Sequence, residues 1–278
     1  MRIHAFADEA SSSIDDQIKA LHRNGLQGLE IRNVDGTNVS FITIKKAREV
    51  RKKLSDAGLF VWSLGSPIGK IDISGRDWEE HKERFKHTME IAVELNAENL
   101  RLFSFYLPSG ADPDAYYGQV IERLSWMAVI AEGSGVTLCH ENEKEIYGDI
   151  ATRCLKIHQA LPSIRGVFDP ANFIQCGQDT VEAWTVLKDH VKYLHIKDAL
   201  WNGTVVLAGD GEGQLHQIVT DFIRMGGSDM TVEPHLKSFE GMSDLERGQQ
   251  TIWTDVHVFH DNNQAFDAAC DALRKLLC

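Results

Sequence analysis

Long amphipathic stretches and short apolar runs alternate along the chain. "SSSIDDQIKALHRNG" (11–25) opens on serines, carries Asp15 and Asp16 in its first turn and stops at Gly25, which is how a capped helix reads. "GLEIR" (28–32) follows as a strand. The same order repeats: "TIKKAREVRKKLSDAG" (43–58) leads into "LFVWSLGS" (59–66), and "DWEEHKERFKHTMEIAVELNA" (77–97) into "NLRLFSF" (99–105). "DPDAYYGQVIERLSWMAVIAEGSG" (112–135) leads into "VTLCHEN" (136–142), and "DIATRCLKIHQALP" (149–162) into "RGVFDP" (165–170). "TVEAWTVLKDH" (180–190) leads into "VKYLHIKD" (191–198), and "QLHQIVTDFIRMGG" (214–227) into "DMTVEP" (229–234). With "IHAFA" (3–7) at the start and the helical "NQAFDAACDALRKLLC" (263–278) at the end, the pattern predicts eight strands and eight helices in strict alternation.

Alternation of that kind implies parallel strands covered by helices. Eight units in 278 residues predict a single α/β domain over 1–278, a (β/α)8 TIM barrel. A doubly wound sheet would want a GxGxxG fingerprint after the first strand, where "FADEAS" stands instead. "GDGEGQ" (209–214) lacks the GK[ST] of a P-loop and reads as a flexible connection after strand seven. "TIWTDVHVFHDN" (251–262) fits no element and reads as an insertion or ordered tail.

Composition narrows the setting. The net charge of −12 weighs against a phosphate-backbone partner, and no nucleic acid is expected. Five widely spaced cysteines with no CxxC argue against a disulfide framework and a Cys-rich zinc site. "MRIHAFADEA" does not read as a signal peptide, and no uncharged apolar run approaches a membrane span. The expectation is a soluble, cytoplasmic protein with no membrane partner; a homo-oligomer stays open.

Four apolar runs end in ionisable groups: "VTLCHENE" (136–143), "VFDPAN" (167–172), "YLHIKD" (193–198) and "TVEPH" (231–235). These are strands five to eight, neighbours around half the ring, and a barrel keeps its chemistry at the C-terminal ends of its strands. Glu141, Asp169, His195 and Glu233 therefore converge on one mouth. Three carboxylates crowded together need a cation between them. With one imidazole they form a largely oxygen donor set, suited to one divalent ion: manganese, magnesium, cobalt or zinc.

In "FADEAS", "HENE", "FDPAN", "HIKD" and "TVEPH" the chain resembles the xylose-isomerase-like, sugar phosphate isomerase/epimerase superfamily. The resemblance implies a metal held by Glu141, Asp169, His195 and Glu233, with Glu141 and Glu233 as catalytic acid and base on opposite sides of the substrate. It implies a small carbohydrate substrate: a sugar, sugar phosphate or polyol derivative. Where family members carry a substrate-contacting His three residues after the Asp, this chain has Asn172, which hydrogen-bonds but does not titrate near neutrality. The extra His ligands of a trinuclear nuclease are missing from "LGSP", "LFSF" and "GDGEGQ".

A metal that polarises a carbonyl and its neighbouring hydroxyl eases loss of the α-proton. Return of the proton on the opposite face gives epimerisation, return at the neighbouring carbon gives isomerisation, and loss of a β-hydroxyl gives dehydration. The leading expectation is an isomerase or epimerase. An inosose-type dehydratase and a non-catalytic metal- or sugar-binding barrel are the alternatives. The surroundings of the two glutamates are expected to push their proton affinities apart. Lys197 follows His195 by two residues and should point the same way, as a hydroxyl or phosphate contact. Glu30, Arg32, Ser66, Lys70 and Arg101 are further candidates for sugar contacts, and Trp62, Phe103 and Phe105 for an apolar floor.

Overall fold

A computed structural model of the chain describes residues 1–242 and 258–278. Its eight main strands are β1 (Arg2–Ala5), β2 (Gly28–Ile31), β3 (Phe60–Gly65), β4 (Asn99–Leu102), β5 (Thr137–Glu141), β6 (Arg165–Phe168), β7 (Val191–Ile196) and β8 (Asp229–Val232). Each pairs in parallel with the next, and β1 pairs with β8 through Arg2↔Asp229 to Ala5↔Val232, which closes the ring. The architecture is the (β/α)8 barrel the alternation predicts.

The helices are α1 (Ile14–Arg23), α2 (Ile44–Asp56), α3 (Trp78–Glu94), α4 (Tyr117–Ala131), α5 (Ala151–Ala160), α6 (Pro170–Gln175), α7 (Thr180–Leu187), α8 (Leu215–Arg224) and α9 (Asn262–Leu276). They bury an apolar stripe on the sheet: Ile14 and Leu21 of α1, Val50 and Leu54 of α2, Leu215, Ile218, Val219 and Phe222 of α8. Two caps follow the sequence chemistry. Thr43 accepts the Lys46 N–H before α2, and Asp261 accepts the Gln264 N–H before α9. The serines before α1 do not cap it by side chain; Asp35, on a neighbouring loop, accepts the Ile14 N–H instead.

Three features go beyond the simple alternation. The short helix α6 follows β6 directly, because Asp169 caps it by accepting the Asn172 N–H and Pro170 occupies its first position. Two small antiparallel ribbons, Asn33–Val34 with Thr37–Asn38 and Asp198–Ala199 with Val205–Val206, stand beyond β2 and β7. The glycine-rich segment after the second ribbon is tied down. Asp198 accepts the backbone N–H groups of Ala199, Gly209, Gly211 and Gly213, at 2.9, 2.9, 3.1 and 2.8 Å. A side chain at Gly211 would place its Cβ 2.3 Å from Asp198 Oδ1, so only glycine fits there. Of the stretch 251–262, residues 251–257 lie outside the described residues, and Asn262 begins α9.

Side chains from strands that are not neighbours touch inside the ring. Trp62 on β3 stacks on His4 of β1 at 4.6 Å and meets Tyr193 of β7 edge-on at 5.7 Å. Cys139 and Val167 pack into the same cluster, and Arg2 lies over the outer ring face of Trp62 while its guanidinium pairs with Asp229. This packed floor closes the N-terminal end of the barrel. Trp62 belongs to it and not to the mouth.

Candidate active site

The four strand ends meet. One donor atom each from Glu141, Asp169, His195 and Glu233 lies within 4.8 Å of all the others. Glu141 is the last residue of β5, Asp169 follows β6, His195 is next to last in β7, and Glu233 follows β8. His195 Nδ1 faces the carboxylates, 3.0 Å from Glu141, 3.2 Å from Glu233 and 3.9 Å from Asp169. All four side chains are buried.

A ring of charged partners surrounds the four. Arg101 of β4 donates to Glu141 at 2.6 Å. Lys197 Nζ stands 2.8 Å from Asp169 and 3.2 Å from Glu233, on the same side as His195. Arg32 donates to Glu233 at 3.3 Å, and its remaining donors go to Asp8 and Glu9 just after β1. Asn172 donates to Glu141 at 3.2 Å and to the Asn142 carbonyl at 2.9 Å. Asn142 in turn exchanges two hydrogen bonds with the Asp169 backbone, which locks the end of β5 to the start of α6.

Other candidates sit elsewhere. Glu30 is wholly buried beneath the imidazole, 3.2 Å from His195 Nε2, and so lies inside the barrel and not on its open rim. Lys70 reaches Glu143 at 3.0 Å and lies 4.5 Å over the Phe103 ring, outside the four-residue cluster. Ser66 donates to the Arg101 carbonyl, and Phe105 packs in the core under Trp78.

Five neighbours of the site escaped the reading of the sequence. Phe6 meets the His195 ring edge-on at 5.3 Å, with the Arg32 guanidinium 4.5 Å over its face. Asp8 and Glu9 hold Arg32, and His235 lies 3.4 Å from both Glu9 and Glu233. Tyr193 donates to Glu30. The signal for Asp8 and Glu9 was present: "FADEAS" is a strand end followed by carboxylates, the same pattern used for strands five to eight. His235 stands in the quoted "TVEPH", in a left-handed backbone conformation at φ 44° that its N–H bond to Glu9 helps hold.

Burial opposes charge on every one of these groups, and the local partners decide which way each moves. Glu141 falls well below the ordinary carboxylate range, because His195 and Arg101 outweigh its burial. Against its own burial Glu233 also falls well below, held by Lys197 and His235. Burial pushes Asp169 up to about 7 although Lys197 pulls the other way, and pushes Glu9 up to about 8 against Arg32. Both glutamates are low, and Asp169 is the raised carboxyl. His195 rises well above its usual value despite burial, under the pull of Glu141 and Glu30.

The residues fit a divalent cation. Asp169 Oδ2 is buried and receives no hydrogen bond, although Lys197 Nζ is only 2.8 Å away. It points where a ligand oxygen is needed. Around it stand two more carboxylates and an imidazole whose far nitrogen is already engaged by a carboxylate, the usual support for a metal-binding His. A second group, Glu9, Glu233 and His235, also gathers donor atoms. Arg32 Nη1 already lies 3.3 Å from both Glu233 and His235 there, so a guanidinium occupies that end.

A closed (β/α)8 barrel with three carboxylates and an imidazole at its C-terminal mouth defines the class: a TIM barrel with a candidate metal centre. The chain belongs to the xylose isomerase-like TIM barrel family, whose family model matches residues 18–238. "Uncharacterized protein YihM" of Escherichia coli is 22% identical over 242 residues, covering 83% of this chain and 70% of that protein. The "probable 3-DHS dehydratase AsbF involved in the petrobactin synthesis" of Bacillus anthracis superposes with a TM-score of 0.75 at 13% identity, over 99% of each chain. D-Psicose 3-epimerase with D-tagatose, from Clostridium cellulolyticum, gives a TM-score of 0.75 at 16% identity, over 100% of this chain and 98% of that one.

Proposed function

We propose that this chain is a divalent-metal-dependent isomerase or epimerase that moves a proton α to a carbonyl in a small sugar, sugar phosphate or polyol derivative. The observation that carries this reading is the approach of two glutamates, Glu141 at the end of β5 and Glu233 just after β8, to His195 Nδ1 at 3.0 and 3.2 Å. Glu141, Asp169, His195 and Glu233 would hold the ion. Bound there, a manganese, magnesium, cobalt or zinc ion supplies Lewis-acid polarisation of a carbonyl and an adjacent hydroxyl.

The chain's own groups do the rest. Glu141 and Glu233 are ionised at neutral pH, the form a proton acceptor needs. Arg101 fixes one oxygen of Glu141, and Arg32 one oxygen of Glu233, so each base has a set direction. Lys197, Asn172 and Arg101 offer donors to substrate hydroxyls, and Lys70 stands beside Glu143 outside the cluster. The compartment proposed is the cytoplasm, where the five cysteines stay free thiols.

A second reading rests on Lys197. Its ammonium stands inside the site, 2.8 Å from Asp169, and can donate a hydrogen bond to the oxygen of a departing β-hydroxyl. That would make the enzyme a lyase of the dehydratase kind. Incubation of the metal-loaded protein in D2O with a panel of ketoses, aldoses, their phosphates and inososes, followed by proton NMR, separates the readings. Solvent deuterium in an isomeric product supports the isomerase or epimerase. A dehydrated product supports the lyase. Silence across the panel, in protein that retains metal, overturns both in favour of a binding barrel.

A further inference from the structure

Glu30 has no place in the proton transfer, yet it is one of the most enclosed carboxylates in the barrel. Its Oε2 lies 3.2 Å from His195 Nε2, on the side of the ring away from Glu141, Asp169 and Glu233. Its Oε1 accepts the Tyr193 hydroxyl hydrogen at 2.9 Å, and Ser63 Oγ stands 3.1 Å behind that hydroxyl. With the Tyr193 proton committed to Glu30, Ser63 is left to donate to Tyr193. The chain Ser63–Tyr193–Glu30–His195 thus joins β3, β7 and β2 across the barrel interior, and every member is fully buried. A carboxyl group this deeply buried needs hydrogen-bond donors, and these are the donors.

We infer that Glu30 is a positioning residue: it takes the Nε2 hydrogen of His195 and so leaves Nδ1, the nitrogen that faces the three carboxylates, as the one whose lone pair a cation takes when it displaces the Nδ1 hydrogen. The inference rests on the reading of Glu141, Asp169, His195 and Glu233 as a cation site. An imidazole has two ring nitrogens and a free choice of which carries hydrogen in its neutral form. Glu30 removes that choice. A hydrogen on Nε2 satisfies a buried acceptor oxygen, whereas a bare Nε2 would set a lone pair against it. Only Nδ1 remains for a ligand. Tyr193 and Ser63 stop Glu30 from turning away.

Two measurements test this without turnover. In the first, manganese is titrated calorimetrically into metal-free protein. Glu30→Gln keeps the shape and loses the charge, and is expected to weaken binding by about 10–100-fold, the range for an outer partner of a ligand His. Tyr193→Phe leaves Glu30 in place with one donor fewer and should cost several-fold; it serves where Glu30→Gln does not fold. In the second, zinc-loaded protein with ¹⁵N-labelled histidine is examined by NMR. Wild type should show His195 with hydrogen on Nε2 in a slowly exchanging, downfield resonance, which moves upfield in Tyr193→Phe and Glu30→Gln. If both variants bind manganese as wild type does while Asp169→Asn loses it, Glu30 has no positioning role and the cation site stands. A wild-type protein that binds no divalent ion overturns the cation site and this inference together. Zinc found on Nε2 would sink the inference alone.

Discussion

Asp169 turns one oxygen to the backbone of its own helix and the other to Lys197. The two jobs can be separated, because Asn caps a helix about as well as Asp but carries no charge. Asp169→Asn should therefore fold and lose at least about a hundredfold in manganese affinity, more than removal of an outer partner costs; calorimetry on the metal-free protein reads it. Cys139→Ala, on the floor, should bind as wild type. The glutamates answer a different question. Glu141→Gln and Glu233→Gln should each lower net conversion by about 10²–10⁴-fold even at saturating metal. One of each pair of epimers should still exchange its α-proton with D2O, since that proton faces the surviving base. Wild-type conversion by both variants, once metal occupancy is restored, would reduce them to ligands. At this scale the sequence was informative where a residue ended a strand: the four ligand candidates and Lys197 come together. It was silent on depth. "GLEIR" places Glu30 at the end of a strand, but a register shift between β2 and β3 at Leu29 and Glu30 accompanies its turn into the interior, and nothing in five letters announces that.

Among the elements, the segment 209–214 departs furthest from its reading. Its glycines suggested flexibility, and they are there because three of their N–H groups must crowd, with that of Ala199, around one carboxylate. The partner, Asp198, sits eleven residues before Gly209, too far for a local pattern to show it. Asp198→Ala leaves those amides without their partner in a part-buried place, where each lost charge-assisted bond costs about 1–3 kcal/mol at most. A net loss of about 3 kcal/mol in urea unfolding is expected, with Gly211→Ala destabilising by steric contact with the same carboxylate. An unchanged urea midpoint in Asp198→Ala would mean the cradle is not a structural tie. Helix α6 was missed for a related reason. "FDPAN" was read for its Asp as a ligand, although Asp followed by Pro is equally the start of a helix.

For the molecule as a whole, the alternation of elements was legible almost throughout, because a parallel barrel repeats one pattern eight times. Stability against pH was not legible, since it depends on which histidines are buried. His81 accepts the Gly69 N–H, His158 is on the buried face of α5, and burial pushes both down to about 4. The unfolded chain takes up a proton at such a group below about pH 6.5, and the folded chain only near 4. Their contribution is thus complete above pH 6.5 and is lost as pH falls toward 4. Glu9, raised to about 8, acts in the opposite sense, so the difference between variants is the clean quantity. Relative to His81→Gln, wild type should lose about 2 kcal/mol between pH 7.5 and pH 5, read by urea unfolding at each pH; parallel curves for the two proteins would show that His81 does not stay neutral. The floor of Trp62, His4, Tyr193 and Arg2 has a consequence for traffic. A chamber sealed at one end has a single doorway, so product must leave along the path by which substrate arrives. The two cannot pass, so under the proposed function a new substrate enters only after product has left.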